Sequence, residues 1–416
     1  MGDSRVPPKK VSIHRRRWVR IAIVVIGLFV VARIFAFDIR QIPSNSMLPT
    51  LRGDEKTGDR VFVDLLTPLF RAPERFEVVA FHDPQQKGRD LVKRVGGLPG
   101  ETVLLRDGDI NINGKLYRKN AEERRRVRVP IFRESKHANG IKDGFDITEF
   151  KNLSEFDPAH WLHSRLESQS AGILYKSTII PSDGFENDDG SYARRPGELP
   201  VFDLQFEIPI RLDPIYAKFL LCLQHGGDEF IFVLSSNDST PDLDLSVERR
   251  SIVKSREDNQ GTLLSTIIYK GTLTRARAGQ TARLSFSNID CRISVEVNGE
   301  EFKIPGSLPF DYDTHTPYLP IGGAAKRLRS GIEFVFVKST FGAAGEVNIY
   351  RDVVYEPRGE HGCKNEYLLA KNQYFLLGDY SSDSTDSRVF GAVSGDDWIG
   401  YLRAIVSPWS RARFIK

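Results

Sequence analysis

The sequence predicts a mainly β protein: one N-terminal transmembrane helix, an antiparallel β core, and a β-sandwich inserted into that core. Three observations carry this. Short β-branched and aromatic runs, broken by Gly, Asn and Asp turns, recur along most of the chain. A single long apolar run, Ile21 to Phe37, stands behind a basic block. Between about 120 and 360 the texture changes, with sharper local signals on either side.

Residues 1–17 carry Arg5, Lys9, Lys10, Arg15, Arg16 and Arg17 against one acid, Asp3. The apolar run IAIVVIGLFVVARIFAF is interrupted only by Arg33 and is short for a span, which needs about 17–25 residues. Trp18 and Val19 lengthen it, Arg20 reaches back to the inner headgroups, and Arg33 can snorkel at the outer end. Neither Ala32, followed by Arg33, nor Ala36, with Ile34 two residues before it, makes a cleavage site. The expectation is a basic cytoplasmic tail over 1–17, a retained anchor over 18–37, and residues 38–416 outside the cytoplasmic membrane.

Pro43-Ser44-Asn45-Ser46-Met47-Leu48-Pro49-Thr50-Leu51 follows directly. Its prolines fix their own φ and push the residue before each towards extended geometry, predicting a stiff, non-helical loop that holds two serine hydroxyls in set directions. From Phe37 the chain reaches Ser46 within about 30 Å even if fully extended, so Ser46 is expected close to the outer membrane face. Strands are predicted at Val61-Phe62-Val63 and Val78-Val79-Ala80-Phe81, with a turn around Pro73 to Arg75 between them. A third, Arg89 to Val95, ends at Gly96-Gly97-Leu98-Pro99-Gly100. Period two puts Leu91, Lys93 and Val95 on one face, a lysine among apolar neighbours. Residues 102–118 read as short antiparallel strands turning at Asp107-Gly108 and Asn113-Gly114.

The stretch 120–200 is polar and irregular, and its Arg124-Arg125-Arg126 run reads as a solvated face or loop. From Phe202 alternation sharpens, with Phe202, Leu204, Phe206, Ile208 and Ile210 set against Asp203, Gln205 and Glu207. Further β-like runs at Phe230–Leu234, Leu263–Tyr269, Ala282–Phe286, Ile293–Val297, Phe334–Val337 and Val347–Tyr350 predict an antiparallel sandwich from about 200. FSNIDCRISVEVNG, Phe286 to Gly299, resembles a hairpin of concanavalin/laminin-G-like jelly rolls. Sharper signals return at Tyr374 to Asp379, a strand running into a turn, then at Ser384 to Gly391 and Ile399 to Val406. The expected division is core over 38–125, insertion over 126–360, and core again over 361–416.

A net charge of +4 with no basic stripe interleaved with aromatics argues against a nucleic-acid partner. Cys222, Cys291 and Cys363 lie far apart, giving neither a disulfide framework nor zinc spacing. His160 and His163 lack ligand partners, and the acidic turns at Asn187 to Gly190 and Asp242 to Asp244 read as surface turns. No metal and no cofactor is expected.

Serine is a poor nucleophile until a base takes its proton, and no His/Asp pair adjoins Ser46 in sequence. Lys93 is the alternative base. Its pKa must fall by roughly 3 units from about 10.4, within the range burial can supply, and Leu91, Val92 and Val95 are suitable neighbours. In this order and behind a membrane anchor, four motifs resemble those of signal peptidase I, the membrane-anchored Ser/Lys endopeptidase family. They are Pro43 to Leu51, Gly58-Asp59-Arg60-Val61-Phe62-Val63, Lys93-Arg94-Val95-Gly96-Gly97-Leu98-Pro99-Gly100-Glu101, and Gly378-Asp379 through Ser384-Thr385-Asp386-Ser387-Arg388.

The resemblance implies Ser46 as nucleophile, Lys93 as general base and Ser44 in an oxyanion hole with the Ser46 N–H. It implies Ser384 hydrogen-bonded to the Lys93 amine and an Asp386–Arg388 ion pair propping the site. Ile42, Met47, Leu51 and Val92 would line small-residue pockets. A substrate strand, the secretory preprotein with small residues before its cleavage site, would add beside residues 90–93, from Asp90 onward. Membrane lipid is the other implied partner. Two departures stand out: the family's Gly-Asp-Asn-Arg-Asp-Asn-Ser is here Gly378-Asp379-Tyr380-Ser381-Ser382-Asp383-Ser384, and a long insertion separates the last two motifs. Other readings of the same residues are a membrane-tethered glycan- or peptide-binding protein with an inactive Ser/Lys remnant, or a self-cleaving Ser/Lys regulator.

Overall fold

The computed structural model describes residues 18–25, 27, 36–133, 172–177, 185–186, 192–193, 201–212, 218–226, 228–236, 239–254, 261–313, 329–337 and 348–415. The expected cytoplasmic tail, His160, His163 and the Asn187 to Gly190 turn lie outside them. So do residues 26 and 28–35 of the expected anchor. Residues 18–25 are helical and exposed, and no helix among the described residues is long and apolar enough to cross a membrane.

The chain is mainly β. Eight strands build the central sheet: β1 (Phe37–Gln41), β2 (Arg60–Asp64), β3 (Val78–His82), β4 (Asp90–Gly97), β5 (Gln373–Leu377), β6 (Val393–Ser394), β7 (Trp398–Ser407) and β8 (Arg413–Phe414). Their order is β1-β2-β7-β3-β4-β5-β6, with β8 on β7, and all these pairings are antiparallel. β7 lies between β2 and β3 and β5 lies beside β4, so residues from both ends of the sequence share one sheet.

Both faces of the sheet are covered, so its inner strands are apolar on successive residues. Val78 and Ala80 join Val61, Val63, Leu402 and Ile405 in one cluster, while Val79 and Phe81 join Val95, Leu376 and Tyr401 in another. A small sheet of Thr102–Arg106, Asp109–Ile112, Lys115–Leu116 and Tyr367–Leu368 stands beside it. Its two turns take positive φ at Asp107, Gly108, Asn113 and Gly114, the backbone that Asp-Gly and Asn-Gly hairpins favour.

The region between holds two larger antiparallel sheets. One orders Glu300–Glu301, Arg292–Val297, Ala282–Ile289, Leu204–Ile210, Asn348–Arg351 and Val129–Arg133, with Phe310–Asp311 on the second of these. The other orders Gly261–Arg277, Asp242–Lys254, Asp228–Ser236, Lys218–Gly226, Arg329–Val337 and Gly172–Ser177. Aromatic contacts join the two through one apolar core: the Phe206 and Phe219 rings lie 6.2 Å apart and those of Phe232 and Phe286 5.1 Å apart. The hairpin at Asp290 and Cys291 turns on two residues with φ of 54°.

The arginine run corrects its reading as a solvated face or loop. Asn120 caps a helix, α1 (Ala121–Val127), through a reciprocal box with Glu123. Arg124 is buried and ion-paired with Glu296 and Glu301, Arg125 pairs with Glu296, and Arg126 pairs with Glu74 and Glu122. Residues 121–128 therefore meet the two-sheet region through charge, Arg128 adding a pair with Glu207. Asp203, Gln205 and Glu207, the polar face of the 204–210 strand, are buried as well.

Beside α1, buried Lys119 pairs with Asp290 and, at 2.7 Å, with Asp352. Asp109, Asp203, Asp290 and Asp352 each bring a carboxylate oxygen within 4.8 Å of the others. Burial, and then the like charge of Asp290 and Asp352, raise Asp203 to about 8. His225, buried against Asp203 and hydrogen-bonded to Tyr312, falls to about 4.

Candidate active site

Between Pro43 and Pro49 the chain makes one 3₁₀ turn, Asn45–Met47, where a non-helical loop was expected. Ser44 enters extended (φ −131°, ψ 157°), and Leu48, restricted by the proline after it, leaves extended (φ −62°, ψ 145°). The turn rotates Met47 into the core and leaves Ser46 half-buried. Hydrogen bonds pin it on both sides: Gly53 N–H to Asn45 Oδ1 (3.0 Å), Leu51 N–H to the Met47 carbonyl (2.8 Å) and Tyr380 N–H to the Ser46 carbonyl (3.1 Å).

Lys93 sits in β4 opposite Val79 of β3 and is 2% exposed. Its Nζ lies 2.7 Å from Ser46 Oγ and donates to the Val92 carbonyl at 3.1 Å. No carboxylate among the described residues forms an ion pair with it. Burial lowers its pKa to about 8; Asp386 and Asp379 act against that shift, while Arg89 and Arg388 add to it.

Asp386 and Arg388 make the expected contact, a two-pronged pair with both hydrogen bonds at 2.8 Å and both side chains buried. Asp386 also caps α2 (Ser387–Phe390) and accepts the Gly378 N–H at 2.9 Å. Gly378 has no substitute here: a Cβ would lie 2.1 Å from Ser384 Oγ and 2.6 Å from the Ser46 carbonyl oxygen. The Ser384 hydroxyl is corrected. It is buried against Gly378 and makes no hydrogen bond, so it does not orient the Lys93 amine. The amine's second hydrogen bond goes to the Val92 carbonyl instead.

Ser44 is exposed, and its side chain caps nothing in the turn. Ile42, Met47 and Leu51 are buried together in one core cluster, with Val92 half-buried at its margin. Ile42, Met47 and Leu51 are core, with little surface of their own. Asp90 is exposed, bonded to Arg40 of β1 and, at 2.9 Å, to His82. β4 pairs with β3 over Asp90–Arg94 but with β5 only from Arg94 onward. Among the described strands the second edge of residues 90–93 is therefore unpaired, beside the Ser46 turn.

Sequence reasoning missed the ring of charge that holds the turn. Arg94, next to Lys93, bonds Asp379 through Nε (2.7 Å) and Nη2 (2.6 Å) and the Phe76 carbonyl through Nη1 (2.6 Å). Thr50 closes onto the same carboxylate. On the opposite side Arg411 pairs with buried Asp59 at 2.8 Å, and Arg413 donates to the Thr50 carbonyl at 2.9 Å. Gly378-Asp379 was visible as a motif, yet nothing local marks Arg94 as its partner.

The fold and site define a β-sheet protein with a serine hydroxyl held against a buried lysine amine. The sequence profile of the signal peptidase, peptidase S26, family matches residues 15–158 and 336–409, just over half of the chain. The chain belongs to that family. It is 40% identical over 106 residues to signal peptidase I of Leptolyngbya laminosa, covering 23% of this chain and 50% of that protein. Over 115 residues it is 33% identical to signal peptidase I of Bacillus licheniformis, covering 28% and 58%. Over 120 residues it is 32% identical to a probable signal peptidase I-2 of Synechocystis, covering 27% and 53%. The chain thus spans about half the length of these relatives. A solved galectin of Caenorhabditis elegans aligns at 12% identity over 36% of this chain and 83% of its own, with a TM-score of 0.20, too slight a likeness to describe the fold.

Proposed function

We propose that the chain is a serine endopeptidase that removes N-terminal signal peptides from exported preproteins at the outer face of the cytoplasmic membrane. The observation that carries this reading is the 2.7 Å approach of Lys93 Nζ to Ser46 Oγ in a site that keeps the amine from water. A neutral amine takes the Ser46 proton as Oγ attacks the scissile carbonyl carbon. The Ser46 N–H and the Ser44 hydroxyl receive the developing oxyanion. The lysinium then gives its proton to the departing amine, leaving an ester on Ser46. Neutral again, Lys93 takes a proton from the water that attacks the ester and passes it to Ser46 Oγ as the acid product leaves, which restores the hydroxyl and the free amine.

The unpaired edge of residues 90–93 supports docking of the precursor as an added strand, with Ile42, Met47, Leu51 and Val92 beneath its small side chains. The apolar run to Phe37, behind the basic block, supports a single-pass anchor with the N-terminus in the cytoplasm and membrane lipid as the other partner. Residues 38–125 and 361–416 then form the catalytic core, and 126–360 an inserted β-sandwich. Incubating the full chain in detergent with a precursor bearing Ala-x-Ala tests the reading. Cleavage after the second Ala is expected, with loss in Ser46→Ala and Lys93→Ala; cleavage unchanged in either variant would overturn it.

A further inference from the structure

Ser381 stands where the family pattern carries arginine, and it joins three segments. Its hydroxyl, in a residue 5% exposed, accepts from Arg388 Nη1 at 2.6 Å and from the Glu356 backbone N–H at 2.7 Å. Its carbonyl accepts from Arg388 Nη2 at 2.8 Å. Arg388 Nη1 also donates to the Glu356 carbonyl at 2.8 Å. Glu356 lies on the stretch that leads from the Asn348–Arg351 strand of the two-sheet region back to the central sheet.

That stretch closes on Arg388 from a second side. The Glu360 and His361 N–H groups both donate to the Arg388 carbonyl, at 2.8 and 3.0 Å. Gly359, at φ 147°, lies so near that a Cβ would sit 2.4 Å from the same oxygen. Arg388 holds Asp386, Asp386 holds the Gly378 N–H, and Gly378 abuts the Ser46 carbonyl. A continuous set of contacts therefore runs from the return stretch of the inserted region, through Ser381 and Arg388, to the reacting serine.

We infer that Ser381 is a positioning residue that ties the inserted region to the Ser46–Lys93 pair by fixing Arg388 between Asp386 and Glu356. This rests on the Ser/Lys reading above. Of the charges acting on Lys93, Asp386 raises its basicity most, and Arg388 works in the opposite direction. Without the Ser381 hydroxyl, Arg388 loses a charge-assisted bond and the buried Glu356 N–H loses its acceptor. Held then by Asp386 and the Ser381 and Glu356 carbonyls alone, the guanidinium shifts away from the amine, Asp386 acts on the amine with less compensation, and the proton stays on Lys93 to higher pH.

The test uses the full chain in detergent with Ser381→Ala, Ser381→Cys and Ser381→Thr. Two readouts are taken: kcat and KM on an Ala-x-Ala peptide across pH, and the Lys93 titration by NMR of lysine labelled at Cε. Ser381→Ala is expected to lower kcat roughly tenfold with KM within about twofold, and to raise the Lys93 midpoint. Ser381→Cys, close in volume and a weaker acceptor, should move both in the same direction, and Ser381→Thr should restore them. Unchanged kcat and midpoint in Ser381→Ala and Ser381→Cys overturn the inference. So does a fall in kcat with the midpoint unmoved, which marks loosened structure alone. If the unsubstituted chain cleaves no peptide, the protease reading fails, and the NMR midpoints still decide the role of Ser381.

Discussion

The Arg94 guanidinium and the Asp379 carboxylate face each other through two parallel hydrogen bonds of 2.7 and 2.6 Å, both side chains wholly out of water. The pair joins β4, which carries Lys93, to the turn after β5, whose Tyr380 N–H holds the Ser46 carbonyl. It adds a side-chain tie at Arg94, the residue where the backbone pairing of β4 with β5 begins.

Breaking this pair on one side leaves a buried charge without its counterion. Asp379→Ala is expected to cost about 3–5 kcal/mol, read from urea unfolding, because Arg94 stays charged in a dry site. The double variant Asp379→Ala/Arg94→Met should recover a good part of that loss. A loss under about 1 kcal/mol in the single variant would mean that water reaches the pair.

Catalysis that needs a neutral Lys93 must follow its titration. With the amine lowered to about 8, kcat/KM should rise about tenfold per pH unit below 8 and level off above it. A profile flat from pH 6 to 9 would exclude Lys93 as the base.

The same burial has a thermodynamic signature. Between pH 8 and about 10.4 an unfolded lysine keeps its proton while Lys93 in the folded chain has released it, so the unfolded state binds more protons. Stability therefore rises with pH across that window, and the full cost of the buried amine is present below pH 8. Lys93→Met should gain about 2 kcal/mol at pH 7 after its lost hydrogen bond, and the gain should vanish above about pH 10.4. Chemical denaturation at pH 7 and pH 10.5 measures both.

Lys93 was legible because period two set it between Leu91 and Val95, and the hairpin turns were legible because Asn-Gly and Asp-Gly demand their own backbone. The pairing of Asp386 with Arg388 was implied by the resemblance of the last motif to the family's, whereas the Ser46 segment was expected non-helical and makes a 3₁₀ turn. Arg124 is the counterexample. Three adjacent arginines look solvated to any local reading, while the Glu296 that buries Arg124 is 172 residues away. The acidic cluster around Lys119 was invisible for the same reason, since Asp109, Asp203, Asp290 and Asp352 come from four separate segments. Ser384 fails differently: its place in the last motif was readable, its missing hydrogen bond was not.

That acidic cluster yields a stability test of opposite sign. Asp203, raised to about 8, keeps its proton in the folded chain where an unfolded aspartate, near 3.9, has lost it. The folded state binds more protons between those values, so Asp203 makes stability fall as pH rises through the window. Below 6.5 His225 opposes it, being lowered to about 4, so the clean interval is pH 6.5 to 8. Lys119, Asp109, Asp290 and Asp352 also face Asp203, and Asp109 and Asp352, themselves raised by burial, keep part of the slope in any single variant. Asp203→Asn retains an oxygen for the Asp290 N–H, which Asp203 Oδ2 now accepts at 2.9 Å. The variant should be more stable than the parent at pH 8, with the difference shrinking towards pH 6.5. Equal stability of the two proteins across that interval would mean that Asp203 ionises in the folded chain as freely as in the unfolded one.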